Sequence, residues 1–161
     1  MKYLITIILI AVFNLSAMAL EIKTEIKINA TPEEVWKILT DFNGYPNWNP
    51  FIKSIKGQVV IGEKITVRIE PPEAKGMTFK PKIVTFAKNI ELSWLGHLLL
   101  PGLFDGKHKF ELIDNGNGTI TFIQSEKFRG LLVPFFKKQL KTNTKNGFIE
   151  MNKKLKELAE K

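Results

Sequence analysis

The chain contains no cysteine. No disulfide can staple it, so it must hold by packing alone, and cysteine nucleophiles are excluded outright. Its only histidines are His97 and His108, too few with no thiolate beside them for a structural zinc site. No Gly-rich phosphate loop, Gly-x-Ser-x-Gly elbow or His-Glu-x-x-His helix is present. There is no internal repeat and no low-complexity stretch. These absences leave no metal and no cofactor implied.

What is present begins with an address. Met1-Lys2 is a short basic start, Tyr3 to Phe13 is almost entirely apolar, and Ser16-Ala17-Met18-Ala19 supplies small residues with an Ala-x-Ala ending. That order is the layout of a secretory signal peptide, with cleavage expected after Ala19. The apolar run is shorter than the about 20 residues that cross a bilayer. The expectation is a soluble exported protein, periplasmic or secreted; the alternative is an uncleaved membrane anchor. A bacterial lipid anchor would need a cysteine after the cleavage site.

Residues 20–161 are enough for one domain with its own core. Hydrophobic residues make up 44% of the chain and charged residues 25%, the composition of an ordinary globular protein. The net charge is +8, and the last stretch, from Lys137 to Lys161, holds eight Lys against three Glu. Nucleic acid is one partner for such a face, but export argues against it. A Lys-rich helix face is most often its wet side, with anionic lipid headgroups the partner to keep open.

Ile22, Thr24, Ile26 and Ile28 alternate with charged residues, a strand with one buried face. Thr31-Pro32-Glu33-Glu34 starts a helix, with Thr31 as cap and Glu34 closing a capping box. Val35, Leu39 and Phe42 lie on one side of it. From Phe51 to Arg129 the pattern is strand after strand: Ile65, Val67 and Ile69; a long segment from Met77 to Ala87; Ile90, Leu92 and Trp94 on one face opposite Glu91 and Ser93; and Phe104 to Ile113. Asp114 to Gly118 then makes a hairpin into a last strand with Ile120, Phe122 and Phe128 on one face. From Pro134, apolar residues at three- and four-residue steps predict a long amphipathic helix. Gly147 inside it costs stability, about 1 kcal/mol relative to Ala, and lets a sheet or a ligand approach. The fold class is therefore α+β: a curved antiparallel sheet with the C-terminal helix laid across its concave face. Such a wrap need not fill completely, and the leftover space is a pocket.

The segment Ala30-Thr31-Pro32-Glu33-Glu34-Val35-Trp36, with Asp41-Phe42 and Tyr45-Pro46-x-Trp48-Asn49-Pro50-Phe51, resembles the opening of the START-like superfamily, in its polyketide cyclase/dehydrase-like (SRPBCC) branch. Leu92-Ser93-Trp94-x-Gly96, Phe104-x-Gly106-x-His108-x-Phe110, Glu126-x-Phe128-x-Gly130-Leu131-Leu132 and Gly147-Phe148-x-x-Met151-Asn152-x-x-Leu155 continue it to the end of the chain. The resemblance implies a helix-grip fold over residues 20–161, with a deep apolar cavity. Family members bind lipids, sterols, polyketides and plant hormones, and some are cyclases or subunits of larger systems.

Strand parity places the candidate lining. His108 and Phe110 share one face of their strand; Gln124 and Glu126 share theirs with Phe122 and Phe128. Counting back from the hairpin sets His108 opposite Ser125 or Glu126. An imidazole and a carboxylate inside an apolar cavity could orient a ligand or move a proton; the plainer alternative is a satisfied pair that fixes strand register. Trp48 and Asn49 sit in a Pro-bounded turn, either at the pocket mouth or as a packed turn with the Asn side chain on backbone. Trp94, Met77, Phe79, Phe148 and Met151 are core, lining or both.

Two connections are unexpectedly apolar. Leu98, Leu99, Leu100 and Leu103 lie in one, and Leu131-Leu132-Val133-Pro134-Phe135-Phe136 form the other. Connections normally run over the surface and are polar. An exposed apolar loop marks a lid, a partner site or a membrane contact; alternatively both fold under and pack on each other. Three functions follow: a monomeric exported carrier of a hydrophobic small molecule or lipid, an aromatase/cyclase-type enzyme using His108 and Glu126, or a protein-binding accessory using the apolar loops. Export removes the chain from acyl carrier protein, ATP and reduced cofactors, which favours the cofactor-free carrier.

Overall fold

The computed structural model describes residues 19–161. Most of the expected signal peptide, residues 1–18, lies outside the described residues. Strand β1 (Leu20–Ile28) begins one residue after the expected cleavage site, and its even-numbered side chains are the inward ones, as the alternation predicts.

Helix α1 (Pro32–Thr40) starts with the expected capping box. The Thr31 hydroxyl accepts from the Glu34 backbone N–H, and the Glu34 carboxylate accepts from the Thr31 backbone at 2.8 Å and from its hydroxyl at 2.9 Å. Those donors hold the Glu34 carboxyl below its ordinary range, the backbone N–H contributing most. A short helix α2 (Tyr45–Trp48) follows. The buried Tyr45 hydroxyl donates to the Leu39 carbonyl at 2.8 Å, and burial, with Asp41 nearby, pushes its pKa far above the ordinary phenol value.

Strands β2 (Ile52–Lys56), β3 (Thr66–Ile69) and β4 (Met77–Phe79) form one antiparallel sheet. Strands β5 (Lys82–Ala87), β6 (Glu91–His97), β7 (Asp105–Asp114) and β8 (Ile120–Arg129) join β1 in a second, ordered β1-β8-β7-β6-β5. The segment read as one strand from Met77 to Ala87 is thus two strands in different sheets, parted at Lys80-Pro81. Proline has no N–H for a ladder, and the Pro81 carbonyl instead accepts from Ile65 N–H at 3.0 Å, tying the sheets together. Ile90 also departs from expectation. It falls in the turn before β6 and is exposed, while Leu92 and Trp94 are buried, as is Ser93 on the opposite face.

The C-terminal helix lies across the sheet as predicted, but it is not uniformly α. Helix α3 (Val133–Gln139) passes into a π-helical segment, Leu140–Thr144, and then α4 (Lys145–Ala159). Such wide turns are rare and recur at functional sites. Phe148, Met151 and Leu155 of α4 are fully buried against the sheet, where truncating an aromatic costs about 3–5 kcal/mol. Gly147 admits neither sheet nor ligand; the Phe51 ring fills the space over it. Two polar pegs fix the helix. Asn152 donates to the Thr24 hydroxyl at 3.0 Å, and Glu160 accepts from the Asn29 backbone N–H and from Lys156, both at 2.7 Å. These donors, Asn29 first, hold the Glu160 carboxyl below its ordinary range.

Candidate functional site

Between the sheet and the π-helical end of the C-terminal helix lies a cavity of about 290 Å³. It exists because two side chains are missing. Gly96 of β6 and Gly106 of β7 face each other across the ladder, on the inward parity of Trp94 and His108, and both border the cavity. Trp94 and His108 make its floor, and Phe79, Phe104 and Phe128 stand around it. Leu140, Asn143 and Thr144 of the π-helical segment close it from above. The exposed members of the lining, among them Lys75, His97, Leu98 and Phe136, mark the mouth.

His108 is boxed. The Trp94 ring stacks on it at 4.7 Å, while Phe110 and Phe148 present their edges at 4.7 and 5.2 Å. Its exposure is 3%. Register places it directly opposite Glu126, the second of the two expected pairings. The imidazole Nδ1 and Glu126 Oε2 are 3.5 Å apart, the outer limit of a hydrogen bond. Behind His108, the Gln124 amide Nε2 lies 3.4 Å from both His108 Nε2 and Met151 Sδ. A thioether sulfur can only accept, so it takes the amide NH₂. His108 Nε2 meets the same NH₂ and accepts as well. The proton of the neutral ring then sits on Nδ1, aimed at Glu126. A β-carbon on Gly106 would stand 2.7 Å from Glu126 Oε1, so that glycine makes room for the carboxylate.

The candidate residues therefore divide. Phe79, Trp94, His108 and Glu126 border the cavity. Phe110, Gln124, Phe148 and Met151 stand one layer behind, holding His108 in place. Trp48 and Asn49 do not reach the mouth. The Asn49 Oδ1 accepts from the backbone N–H groups of Phe51 and Ile52 at 2.9 and 2.8 Å, and Trp48 packs on Tyr45 at 5.1 Å. Both belong to a packed turn. Sequence reasoning missed Gly96 and Gly106 as the makers of the space, although both stand in the motifs that carry the resemblance.

The two apolar connections run side by side. Leu131 and Leu132 donate backbone N–H groups to the carbonyls of Gly102 and Leu103 at 3.2 and 2.9 Å. Gly130, at φ 126°, lets the strands of chain touch, since a β-carbon there would overlap the Leu103 carbonyl. Asp105 clamps the first loop, accepting from Gly102 N–H with both oxygens at 3.0 Å and meeting His97 Nδ1 at 2.6 Å. The backbones pair and Val133 is buried, yet the loop tips stay out: Leu99 is 78% exposed and Phe135 82%. Leu99 also holds φ at 66°, a left-handed conformation that disfavours a leucine by about 1–2 kcal/mol. Lys137, Lys138 and Lys141 are exposed on the adjoining helix. Among the described residues, no helix is long and apolar enough to cross a membrane, and no cluster of three or more His, Asp or Glu could hold a metal ion.

A family model described as polyketide cyclase / dehydrase and lipid transport matches residues 19–160. No curated protein matches. Among solved structures, the di-domain ARO/CYC BexL from the BE-7585A biosynthetic pathway superposes with a TM-score of 0.72 at 11% identity, over 89% of this chain; the chain spans 51% of that protein's length. The Zhui aromatase/cyclase from Streptomyces sp. R1128 gives 0.71 at 10% identity, over 88% of this chain and 93% of that one. A START superfamily protein from Mycobacterium smegmatis gives 0.63 at 17% identity, over 86% and 98%. At these identities the likeness is one of fold, and the fold is the helix-grip.

Proposed function

The chain belongs to the polyketide cyclase / dehydrase and lipid transport family, and from that premise we propose that it is an exported binding protein holding a hydrophobic small molecule or lipid in its cavity. The observation that carries this reading is the space of about 290 Å³, kept open by Gly96 and Gly106 and walled by aromatic side chains. It approaches the lower end of ligand-site volumes, roughly 300–1,000 Å³. Each apolar Å² a guest buries there is worth about 25 cal/mol. Export rests on the N-terminal sequence pattern, and cleavage after Ala19 would leave every described strand and helix whole.

The mouth supports loading from a membrane surface. Leu98, Leu99, Leu100, Leu131, Phe135 and Phe136 form an exposed apolar rim, and lysines flank it with no acidic residue from Leu131 to Ile149. Apolar insertion plus attraction to anionic headgroups is how peripheral proteins bind bilayers.

Mass spectrometry of the protein under native conditions, purified from its own host, tests the binding reading. A co-purifying apolar mass is expected. A bare chain in every preparation, together with no uptake of naphthalene in solution, would overturn it.

A cyclase-type enzyme is the second reading, favoured by one observation, the His108–Glu126 pair on the cavity wall. It requires that His108→Ala abolish turnover of a polyketide-like substrate while its affinity persists.

A further inference from the structure

We propose that the cavity selects apolar ligands that carry a hydrogen-bond donor, a hydroxyl or amine, at their buried end, and that Glu126 is the acceptor that reads it. This rests on the ligand-binding reading above and adds the chemistry of the ligand's inner end.

The argument begins with direction. The Met151 sulfur orients the Gln124 amide, the amide NH₂ meets His108 Nε2, and the ring proton on Nδ1 points to Glu126. From Gln124 onward both donors, the amide and then the ring Nδ1–H, face the same way, and the chain ends at the carboxylate. Glu126 therefore presents only lone pairs to the cavity. A carboxylate offers about four acceptor sites, and among the described residues Glu126 has a single side-chain partner, His108, at 3.5 Å. A charge set in an apolar wall is costly until it is paired and hydrogen-bonded. Glu126 Oε1 occupies the room that Gly106 leaves, and both residues border the cavity.

The same geometry excludes a second class. Glu126 is the one acidic residue of the lining. A carboxylate or phosphate brought to the floor would meet its negative charge. The lysine and the other histidine of the lining, Lys75 and His97, are exposed at the mouth. Fatty-acid head groups are accordingly poor candidates for the inner end, and alcohols, phenols and amines are good ones.

Four probes built on one ring system make the test: naphthalene, 2-naphthol, 2-methoxynaphthalene and 2-naphthoic acid, each titrated against the full mature chain by quenching of tryptophan fluorescence, Trp94 being at the cavity floor. A hydrogen bond to a charged group is worth enough to predict that 2-naphthol binds about tenfold or more tightly than 2-methoxynaphthalene. 2-Naphthoic acid should bind weakest. Glu126→Gln should bring naphthol and its methyl ether within about threefold. Gly106→Ala gives a second variant for the same role, since the new methyl displaces the carboxylate without removing it; it should narrow the gap too. Equal wild-type affinity for naphthol and its methyl ether would overturn the donor inference and leave the cavity reading standing. Selectivity that survives both substitutions would remove Glu126 as the reader. No binding by any probe, naphthalene included, would overturn the cavity reading itself.

Discussion

The ring of Phe51 lies so close over Gly147 that a β-carbon on the glycine would overlap its Cδ2 atom. The same ring meets Phe148 edge-on at 5.4 Å. The glycine is what brings the chain leading into β2 against the last helix, so its helical cost is offset by packing. Gly147→Ala should gain about 1 kcal/mol of helix propensity and lose more than that to overpacking, which costs about 1–3 kcal/mol. Urea unfolding should show net destabilisation, partly recovered by adding Phe51→Leu. A stabilised single variant would mean that the Phe51 ring moves aside freely.

Filling the cavity should separate binding from stability. A β-carbon at Gly96 meets Phe79 and Pro81 only at ordinary distances, 3.4 Å and beyond, so Gly96→Leu can project its side chain into the space. Naphthalene affinity should drop at least about tenfold while the melting temperature holds or rises, because buried methyls replace a void. Unchanged affinity would place the ligand elsewhere.

The apolar rim should matter only at a bilayer. Wild-type protein is expected to co-sediment with vesicles containing anionic lipid, less so as salt rises. Leu99→Ser with Leu100→Ser should abolish this while leaving naphthalene binding intact. Leu99→Gly should also weaken it, yet without loss of stability, since glycine accepts the positive φ that leucine resists. Sedimentation that ignores these changes would remove the membrane from the account.

Acid should loosen both ends of the helical frame. Glu34 and Glu160 titrate lower in the folded chain than their ordinary value of 4.5. Their stabilisation is complete above that value and is lost as pH falls through the depressed folded values. Thermal melts should therefore decline below about pH 4.5. The Glu34→Gln, Glu160→Gln double variant should start lower at neutral pH and decline less steeply. Parallel curves would show that other carboxylates set the acid limit.

Local chemistry was legible wherever one residue's neighbours along the chain decide its role. The alternation of β1, the Thr31–Glu34 box and the Asp114–Gly118 hairpin are of this kind, and hairpin counting alone limited His108 to two partners. Roles set by distant atoms were not legible. The strand-like segment from Met77 to Ala87 keeps its pattern through Pro81, although the proline hands the chain from one sheet to the other. The π-helical turn preserves the helical periodicity closely enough to pass for α. Parity identified the inward residues but not which of them touch empty space, because a cavity is defined by side chains that are absent. Gly96 and Gly106 therefore looked like ordinary strand glycines. Trp48 resembled a mouth residue because its turn is bounded by prolines, and only the Asn49 bonds to Phe51 and Ile52 reveal a closed knot of chain.

The pairing of the two rim loops has a mechanical consequence. Gly102 and Leu103 are hydrogen-bonded to Leu131 and Leu132, and Asp105 holds the near end. One loop cannot swing without dragging the start of the last helix. The rim has one moving part where its sequence suggests two, and a ligand that displaced either loop on leaving would carry the other with it, helix end included.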